Sequence, residues 1–577
     1  MTMIDTGESM SVLITAGKVL PLDGERPEAQ ALLVVDGRIV ATGRTRDLAS
    51  QAPAGCARLD APGATVMPGL VDTHPHVLHF GGLTHHLVDL ADAGSHADIV
   101  ARIRRRAGET PVGTWIQASP VGEAHYFIRR SWRDLAEGRL PDRRVLDAAT
   151  EHHPVLIQAW APVIPNVCAL NSAALAALGI TRETPDRVEN VFVEKDEDGE
   201  PTGILSGSVN NYYTNDSFMN SLLLQVPMFE PESVVAGTCA AIAEYNRMGV
   251  TTVYEGHAMG PFEVEVYRGL RAAGELNLRV LTALEAEPYG LPWSESLTEE
   301  QFVANLELAA STTDKSDDLL RHDGVTLSRG GPCWPGFIRM NESYRGPYGE
   351  LTNGVTFVSG EKEEIALRFC AERDVRLNFI GAGDRDHDEF LERAEALAGD
   401  HADIRDRHWI LQHAYLMNEE HTRRYAALGF DVTTSMSFSW GKGDLFTERV
   451  GEHVLDDLIP LRRLLDAGLS VGCGSDWGPK NIFEHIELAG CHRFCGSRRE
   501  NPGASHRVGR EEALLMWTRD AARVLRWDGI GSLAPGNHAD VIIVDRDPLT
   551  CDASDLAATR VLRTLLGGRT VHDSGDL

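Results

Sequence analysis

Basic residues are scarce in this 577-residue sequence, because 55 lysines and arginines stand against 85 aspartates and glutamates. The formal net charge at pH 7 is -30. A surface with this balance repels phosphate backbones and anionic lipid headgroups. The sequence therefore argues against a nucleic-acid partner and against a membrane partner.

Cysteines and long apolar runs are also sparse. Nine cysteines are too few for a disulfide scaffold in a chain of this length, and the odd number leaves at least one unpaired. No run of about 18 apolar residues occurs. The first ten residues, MTMIDTGESM, lack the basic and apolar segments of a signal peptide. We therefore expect a cytoplasmic protein.

Apolar residues make up 43% of the chain, which is enough for a large core and more than one structural unit. Both ends contain short strand patterns. ALLVVDGRIVATG contains the turn dipeptide Asp36-Gly37, and RVLRTLLGGRTVHDS contains Gly567-Gly568. We predict one small β-sandwich assembled from residues 11–68 and 529–577.

The middle of the chain alternates short apolar strands with amphipathic helices, which predicts an α/β fold. Eight strands can be counted, the number in a closed (β/α)8 barrel of the TIM type, where catalytic residues collect at the strand C-termini. Strand one lies in residues 69–88 and the rest of the barrel in 233–528, and we interpret 89–232 as an insertion over the barrel mouth. The predicted strands lie in VMPGLVDTHPH, VTTVYEG, LRVLTALEA, FIRMNES, VRLNFIG, WILQHAYL, DVTTSMSF and LSVGCGSDW.

Histidines and a carboxylate follow the first and last of these strands. His74 and His76 would point to the same side of an extended strand, with Cα atoms about 7 Å apart. Asp476, in GCGSDW, would reach the same rim of a closed barrel. These three residues are our candidate metal ligands.

Two neutral imidazoles and one carboxylate suit Zn²⁺ or a similar divalent ion, with a position left for water. Such an ion lowers the pKa of bound water to about 7. Asp476 could then carry the proton from water to the leaving group, and His413 could polarise the scissile carbonyl. We therefore assign catalytic roles to Asp476 and His413.

Further residues near the predicted strand ends are candidates for substrate binding. Several aromatic residues there would favour a flat or apolar substrate group. SFSWGKGDLF is interpreted as a mobile loop because of its two glycines. The candidates are Asn378, Trp160, Trp334, Tyr344, Trp440 and Trp477.

Several segments together resemble the amidohydrolase superfamily, and within it the branch that contains N-substituted formamide deformylases. The resemblance covers residues 11 to 573 and implies a metal-dependent hydrolase with a barrel and a terminal sandwich. The segments are MPGLVDTHPH, ILQHAYL, CGSDW, IGSLAPGNHADVIIVDRDPL, EGRLPDRRVLDAATEHHPV, NSAALAALGI and GEPTGIL.

The chain departs from the family pattern at two places. The family has a carbamylated lysine on strand four, where the matching segment GFIRMNES offers Arg339, and a histidine on strand five, where Ile380 stands. A guanidinium stays protonated and cannot be carbamylated. We therefore expect a single Zn²⁺ per chain, with its fourth ligand open among water, His413, Glu255 and Glu342.

Arg339 has two interpretations of equal weight. Because it would not bind a metal, Arg339 could bind a substrate carboxylate in bidentate fashion. It could instead form an internal ion pair with Glu342 or Glu255.

The leading hypothesis is a single-metal amidohydrolase that cleaves an amide or related C–N bond of a small molecule. One alternative keeps the barrel but performs a lyase, decarboxylase or isomerase step on a carboxylated aromatic compound, which Arg339 and the tryptophans would suit. The other is a metal-poor binding protein without catalytic activity. Self-association through the barrel helices or the sandwich would be compatible with this architecture.

Overall fold

The computed structural model describes ten segments of the chain. They are residues 11–25, 28–122, 129–160, 163–212, 216–229, 231–287, 296–312, 317–331, 334–478 and 480–577. Within these segments, no helix combines the length and the apolar character that crossing a bilayer requires.

Eight parallel strands form a nearly closed barrel in which strands adjacent in chain order are adjacent in space. Strands one and eight approach each other where Thr73 N donates a hydrogen bond to Cys473 O at 3.2 Å. The predicted α/β barrel is therefore confirmed. Barrel strands one to eight are Leu70–Asp72, Val250–Glu255, Arg279–Glu285, Leu320–Ser328, Leu377–Ile380, Ile410–Gln412, Asp431–Thr434 and Val471–Cys473.

Helices cover the outside of the barrel, which is why its strands are apolar on both faces. Every residue of barrel strands two and three is buried. The principal helices between and after the strands are Val77–Thr84, Pro231–Arg247, Pro261–Ala273, Glu299–Thr312, Gly360–Arg373, Asp384–Asp400, Glu419–Ala427, Met436–Arg449, Leu461–Asp466, Ile482–Cys491, Arg510–Leu515 and Arg519–Val524.

Strand four differs from the prediction. It is Leu320–Ser328, whereas the segment FIRMNES lies in the loop after this strand. The apolar pattern of LRHDGVTLS is interrupted by polar residues and by Gly324, whose φ is +90°. These polar residues find partners in the barrel, as where the Thr282 hydroxyl lies 2.6 Å from His322 Nδ1. The interrupted pattern is therefore compatible with a strand only in its tertiary context.

Strands from the two ends of the chain form one seven-stranded sheet. Asp36 and Gly37 have φ values of 50° and 73°, and Gly567 and Gly568 have 56° and 79°, so both predicted turns are left-handed hairpin turns. A Cβ atom on Gly37 would lie 2.8 Å from Gly567 O, because the sheet curls until the two turns touch. The strands are Val12–Val19, Ala29–Val35, Arg38–Gly43, Ala57–Pro68, Val541–Val544, Val561–Leu566 and Arg569–Asp573.

A six-stranded sheet lies between barrel strands one and two in the chain. Trp160 and Tyr212, which follow strands of this sheet, reach the mouth of the barrel. Their rings lie 6.2 and 4.9 Å from that of Trp477. The boundaries 89–232 of this insertion stay a prediction. Its strands are Ile116–Ala118, Val155–Ile157, Asn166–Leu170, Arg187–Val188, Val191–Lys195 and Pro201–Gly207.

The segment SFSWGKGDLF is not a loop, and this prediction is wrong. It belongs to the helix Met436–Arg449, most of whose residues are buried. A Cβ atom on Gly443 would lie 2.2 Å from the ring of Phe494, so this glycine permits close packing. Its presence in the sequence therefore indicates a tight contact, not mobility.

A buried ion pair joins the barrel to the terminal sheet. Arg279, at the start of barrel strand three, donates two hydrogen bonds to the Asp540 carboxylate, at 2.6 and 3.0 Å. Both side chains are 3% exposed. Asp540 also accepts a hydrogen bond from Gly567 N at 2.8 Å, so it orients the turn of the terminal sheet.

We expect Asp540→Asn to destabilise the protein by about 3 kcal/mol, because it leaves a buried guanidinium without its counter-charge. Urea unfolding followed by circular dichroism measures this change. The control is Glu364→Gln, which makes the same chemical change in an ion pair with Arg368 whose side chains are 55% and 58% exposed. The control should change stability little. Equal effects of the two variants would contradict a structural role for the buried pair.

Candidate metal centre

Three polar side chains converge at the C-terminal end of the barrel. His74 Nε2 lies 3.1 Å from His76 Nε2, and Asp476 Oδ1 lies 3.3 and 3.4 Å from these two atoms. A tetrahedral ion with ligand bonds of about 2.0–2.1 Å has ligand-to-ligand edges of about 3.3–3.4 Å. All three residues are buried. The donor atoms therefore fit three corners of a small cation site.

The two histidines reach this position by a route that the strand pattern did not predict. Barrel strand one ends at Asp72, and a turn follows before the helix that begins at Val77. His76 has a φ of 56°, in the left-handed region. The expectation of two side chains on one face of an extended strand is therefore wrong, although the turn still brings both imidazoles together.

Asp476 reaches the histidines because the loops after strands one and eight are held together. Asp476 N donates to His74 O at 2.8 Å, and Gly478 N donates to Pro75 O at 3.0 Å. A Cβ atom on Gly474 would lie only 2.5 Å from His74 N. Glycine is therefore required at position 474 for the two loops to approach.

The Asp72 carboxylate anchors the same two loops. Its Oδ1 atom accepts hydrogen bonds from His74 N and from Ser475 N, both at 3.0 Å. Burial raises the pKa of Asp72, and the hydrogen bonds oppose that shift. Asp72 thus positions the candidate ligands without belonging to the group of three.

The ionisation of Asp476 is governed by its neighbours. Burial by itself raises the pKa of this carboxyl, but hydrogen bonds from His74 and His76 outweigh burial and hold the pKa well below its usual range. Asp476 is therefore an anion at neutral pH, as a metal ligand must be.

His413 follows barrel strand six and lies beside the group of three. Its ring centroid is 5.0 Å from that of His74. Neither ring nitrogen has a hydrogen-bond partner among the described residues. Burial lowers the pKa of His413 well below its usual value, and nearby His74 adds to this shift, so the imidazole is neutral. The structure thus brings His413 to the predicted place.

His257, which follows barrel strand two, is a fourth imidazole at this site and was not among the candidate ligands. Its ring centroid is 5.1 Å from that of His76 and 5.7 Å from that of His74. Its place at a barrel strand end, two residues after Glu255, was a signal that could have found it. Glu255 lies at the same strand end, so this position by itself did not distinguish His257 from Glu255 as a candidate ligand.

The two glutamates considered as fourth ligands lie elsewhere. Glu255 Oε1 accepts hydrogen bonds from Leu78 N at 3.1 Å and from the Tyr267 hydroxyl at 2.5 Å, and burial raises its pKa to about 7. Glu342 is exposed to solvent. The structure therefore brings neither of them into the group of three.

Arg339 forms an internal ion pair, but with different partners from those expected. Its guanidinium donates to Asp386 Oδ1 at 2.8 Å and to both carboxylate oxygens of Glu389 at 2.9 Å. Glu342 and Glu255 are not its partners. Asp386 and Glu389 both belong to the helix Asp384–Asp400. Arg339 lies in the loop after strand four and not on a strand, and from this loop both arms of its guanidinium reach the helix. This pairing removes one of the two observations that motivated the lyase alternative, and the tryptophans are the other.

The predicted substrate-binding residues lie in different surroundings. Asn378 is inside the barrel and donates to Gly256 O, Thr326 Oγ1 and Gln412 Oε1 at 2.6, 2.9 and 3.0 Å. The Tyr344 hydroxyl donates to Ile338 O at 2.8 Å, a contact within the loop after strand four.

The predicted tryptophans also lie in different surroundings, one beside the candidate ligands and others beside basic side chains. Trp477 lies 5.3 Å from the ring of His76. Trp334 lies 5.3 Å from the Lys442 ammonium, and the guanidinium groups of Arg129 and Arg498 lie 5.5 and 5.7 Å from the ring of Trp440. Trp477 is therefore the predicted aromatic residue that the structure places directly beside the candidate ligands.

Comparisons with known proteins identify the family of this chain. A family model described as amidohydrolase family matches residues 58–572. An N-substituted formamide deformylase of Arthrobacter pascens is 27% identical, over 96% of this chain and 97% of the relative.

Solved structures share the fold. An uncharacterized metal-dependent hydrolase from Pyrococcus horikoshii has a TM-score of 0.69 at 19% identity and covers 94% of this chain and 99% of its own. An adenosine deaminase from Xanthomonas campestris with bound zinc has a TM-score of 0.52 at 17% identity and covers 97% of this chain and 92% of its own.

We expect Gly474→Ala to lower the free energy of unfolding by about 1–3 kcal/mol, because the added methyl group would overlap the backbone of His74. Chemical denaturation measures the loss. Gly269→Ala is the control, since this exposed glycine lies within the helix Pro261–Ala273 and a Cβ atom there would meet nothing within 4 Å. The control should be neutral or slightly stabilising. A Gly474→Ala protein as stable as the control would show that the loops do not need this close approach.

Proposed function

The chain belongs to the amidohydrolase family, and from this premise we propose that it hydrolyses an amide or related C–N bond of a small molecule with one divalent metal ion, Zn²⁺. The observation that carries the proposal is the set of three ligand atoms spaced at 3.1, 3.3 and 3.4 Å. Two Nε2–H groups that donate to Asp476 would leave the 3.1 Å contact between the two Nε2 atoms without a shared proton, whereas one cation satisfies all three contacts.

The donor set suits zinc. Two imidazole nitrogens and one carboxylate oxygen are ligands that Zn²⁺ accepts in catalytic sites. When bound, the ion would act as a Lewis acid and lower the pKa of water in its coordination sphere. The zinc named for the adenosine deaminase of similar fold supports this choice of metal.

A single ion is favoured by what stands at the other ligand positions of the family pattern. Barrel strand four, LRHDGVTLS, contains no lysine that could be carbamylated. Ile380, at the end of barrel strand five, stands where the pattern has histidine, and its side chain cannot bind a metal.

Two side chains of this protein would manage the protons and the developing charge. Asp476 Oδ2 is buried and has no hydrogen-bond partner among the described residues, so it can accept a proton from the attacking water and return it to the leaving nitrogen. The neutral His413 imidazole can donate a hydrogen bond to the carbonyl oxygen as negative charge develops there. Water adds to the carbonyl carbon, the C–N bond breaks, and an acid and an amine result.

The surroundings of His76 favour an aromatic or apolar group on the amide nitrogen. The rings of Trp477, Trp160 and Tyr212 form an aromatic cluster beside His76. An aromatic wall next to a reactive centre orients flat substituents. N-substituted formamides combine such a group with a small acyl carbon, and the name of the 27% identical relative supports testing this class.

The primary test measures metal content and hydrolysis together. We expect about one zinc per chain by elemental analysis, and release of formate and benzylamine from N-benzylformamide. The double variant His74→Ala/His76→Ala should lose both the zinc and the activity, because it removes two of the three ligands. Aromatic carboxylic acids are assayed in parallel, because loss of carbon dioxide from them is the reaction that the lyase alternative predicts.

The matched control is His85→Ala/His152→Ala, which removes two exposed histidines. It should keep the metal and the activity of the original protein. Metal content near zero after zinc supplementation, or hydrolysis undiminished in the His74→Ala/His76→Ala protein, would overturn the proposed function.

A second prediction separates the role of His413 from metal binding. We expect His413→Phe to lower kcat about 10²–10³-fold, the usual cost of losing one donor to a developing oxyanion. Zinc should stay at about one per chain. Steady-state kinetics and elemental analysis of the same preparation measure both quantities. Loss of zinc from this variant would instead identify His413 as a ligand.

A further inference from the structure

Lys480 is a buried lysine near the candidate ligands to which the proposed mechanism gives no role. The residue is 4% exposed. Its Nζ atom donates hydrogen bonds to Ser475 O at 2.8 Å and to Trp477 O at 3.1 Å. These two carbonyl groups belong to the residues on either side of Asp476. Lys480 therefore contacts the backbone at both neighbours of the carboxylate ligand.

The backbone that Lys480 contacts has an unfavourable conformation. Asp476 and Trp477 have φ values of 51° and 45°, so two consecutive residues other than glycine are left-handed. Residues in this region persist only where the surrounding contacts hold them. The Asp476 side chain leaves the chain within this turn. Its direction therefore depends on the contacts that keep the turn in place.

The amide groups of this turn are held by the loop after barrel strand one. Asp72 Oδ1 accepts a hydrogen bond from Ser475 N at 3.0 Å, and His74 O accepts one from Asp476 N at 2.8 Å. These contacts leave the carbonyl groups of the turn to other partners, because a carbonyl oxygen can only accept a hydrogen bond. Lys480 is the side chain that donates to the carbonyl groups on both sides of the ligand.

Two serine hydroxyl groups reach one of the same carbonyl oxygens, but at a longer distance. Ser435 Oγ and Ser437 Oγ each donate to Ser475 O at 3.4 Å. The contact from Lys480 Nζ to this oxygen is 2.8 Å long. Shorter hydrogen bonds in the normal range are the stronger ones. The lysine therefore makes the main contact to Ser475 O, and it reaches Trp477 O as well.

Lysine suits this position in either protonation state. Burial lowers the pKa of Lys480 to about 7, and the carboxylates of Asp476 and Asp72 oppose this shift. The ammonium group has three N–H donors, and the neutral amine has two. Two donors are enough for the carbonyl groups of Ser475 and Trp477. The contact therefore does not depend on the charge of the side chain.

We propose that Lys480 is a positioning residue for Asp476, which it keeps directed at His74 and His76 by bridging the two carbonyl groups that flank it. The inference rests on the proposed function, because the role of Lys480 is exerted through a metal ion held by Asp476. Lys480 does not itself bind the metal or the substrate in this role. Without its hydrogen bonds, the left-handed turn would relax and the carboxylate oxygen would move away from the two histidine nitrogens.

The test uses the full chain, stripped of metal and titrated with Zn²⁺ in competition with a chromophoric chelator. We expect Lys480→Met, which keeps the length of the side chain but has no donor, to weaken zinc affinity about 10–100-fold. Loss of a group that orients a metal ligand usually has an effect of this size. Lys480→Gln retains an NH₂ group on a shorter side chain, so its zinc affinity should lie between those of the original protein and Lys480→Met.

The matched control is Lys362→Met, which removes another buried lysine that donates to a backbone carbonyl. Lys362 Nζ donates to Leu297 O at 2.7 Å and to the Glu287 carboxylate at 2.6 and 2.8 Å. The variant leaves the buried Glu287 without its counter-charge, so it should lose at least as much stability as Lys480→Met. Its zinc affinity should equal that of the original protein. The control thus separates an effect on the metal centre from a general loss of stability.

The visible absorption of the Co²⁺-substituted protein reports the geometry of the centre. These bands depend on the type and the arrangement of the ligands, so they should change in Lys480→Met and stay unchanged in Lys362→Met. Circular dichroism of the metal-free variants establishes which of them are folded.

A crystal structure of the zinc-loaded original protein tests the inference without any variant. Lys480 Nζ should lie within hydrogen-bond distance of the carbonyl oxygens of Ser475 and Trp477 while Asp476 binds the ion. A position of Nζ beyond that distance from either oxygen would overturn the inference. This measurement decides the question even if the variants at position 480 do not fold.

The outcomes separate this inference from the proposed function. If the original protein binds one zinc and folded Lys480→Met binds it with unchanged affinity and an unchanged cobalt spectrum, the inference is wrong and the proposed function stands. An equal loss of zinc affinity in Lys480→Met and Lys362→Met would also contradict the inference, because lower stability would then explain both. If the original protein binds no metal, the proposed function fails and the inference fails with it.

Discussion

The Asp72 carboxylate is the contact on which the arrangement of the centre depends. One of its oxygens accepts backbone hydrogen bonds from His74 and from Ser475, residues that are separated by some four hundred positions in the chain. Hydrogen bonds from amides to an ionised carboxylate are among the stronger ones in proteins, and burial strengthens them. The loops that carry the histidines and Asp476 are therefore held at a constant spacing, which the 3.1–3.4 Å separations of the ligand atoms require.

Backbone strain collects around the same residues. His76, His413, Asp476 and Trp477 have φ values of 56°, 72°, 51° and 45°, each in the left-handed region that residues other than glycine rarely adopt. Each such residue costs about 1–2 kcal/mol. The hydrogen-bonded barrel strands beneath them keep this geometry, because relaxing one turn would break contacts in its neighbours. The side chains are thereby oriented before any substrate arrives, which is the arrangement that favours catalysis.

The regular parts of the fold could be predicted from local patterns. Seven of the eight barrel strands were located from apolar runs bounded by polar residues, and the two hairpin turns were recognised at Asp36-Gly37 and Gly567-Gly568. Strand four was missed because Arg321, His322 and Asp323 interrupt its apolar pattern, and these residues become acceptable only when barrel neighbours supply partners. The helix Met436–Arg449 was read as a loop because a glycine needed for contact with Phe494 resembles a glycine needed for flexibility.

The sequence by itself determined the family, the barrel and the identity of His74, His76 and Asp476 as candidate ligands, because each depends on residue type and local spacing. Only the tertiary structure decided which side chains meet. Arg339 pairs with Asp386 and Glu389, and His257 takes its place beside His76 with Glu285 behind it. Such contacts join residues from different strands and loops. Their distances are therefore set by the closure of the barrel and not by any pattern that a stretch of sequence contains.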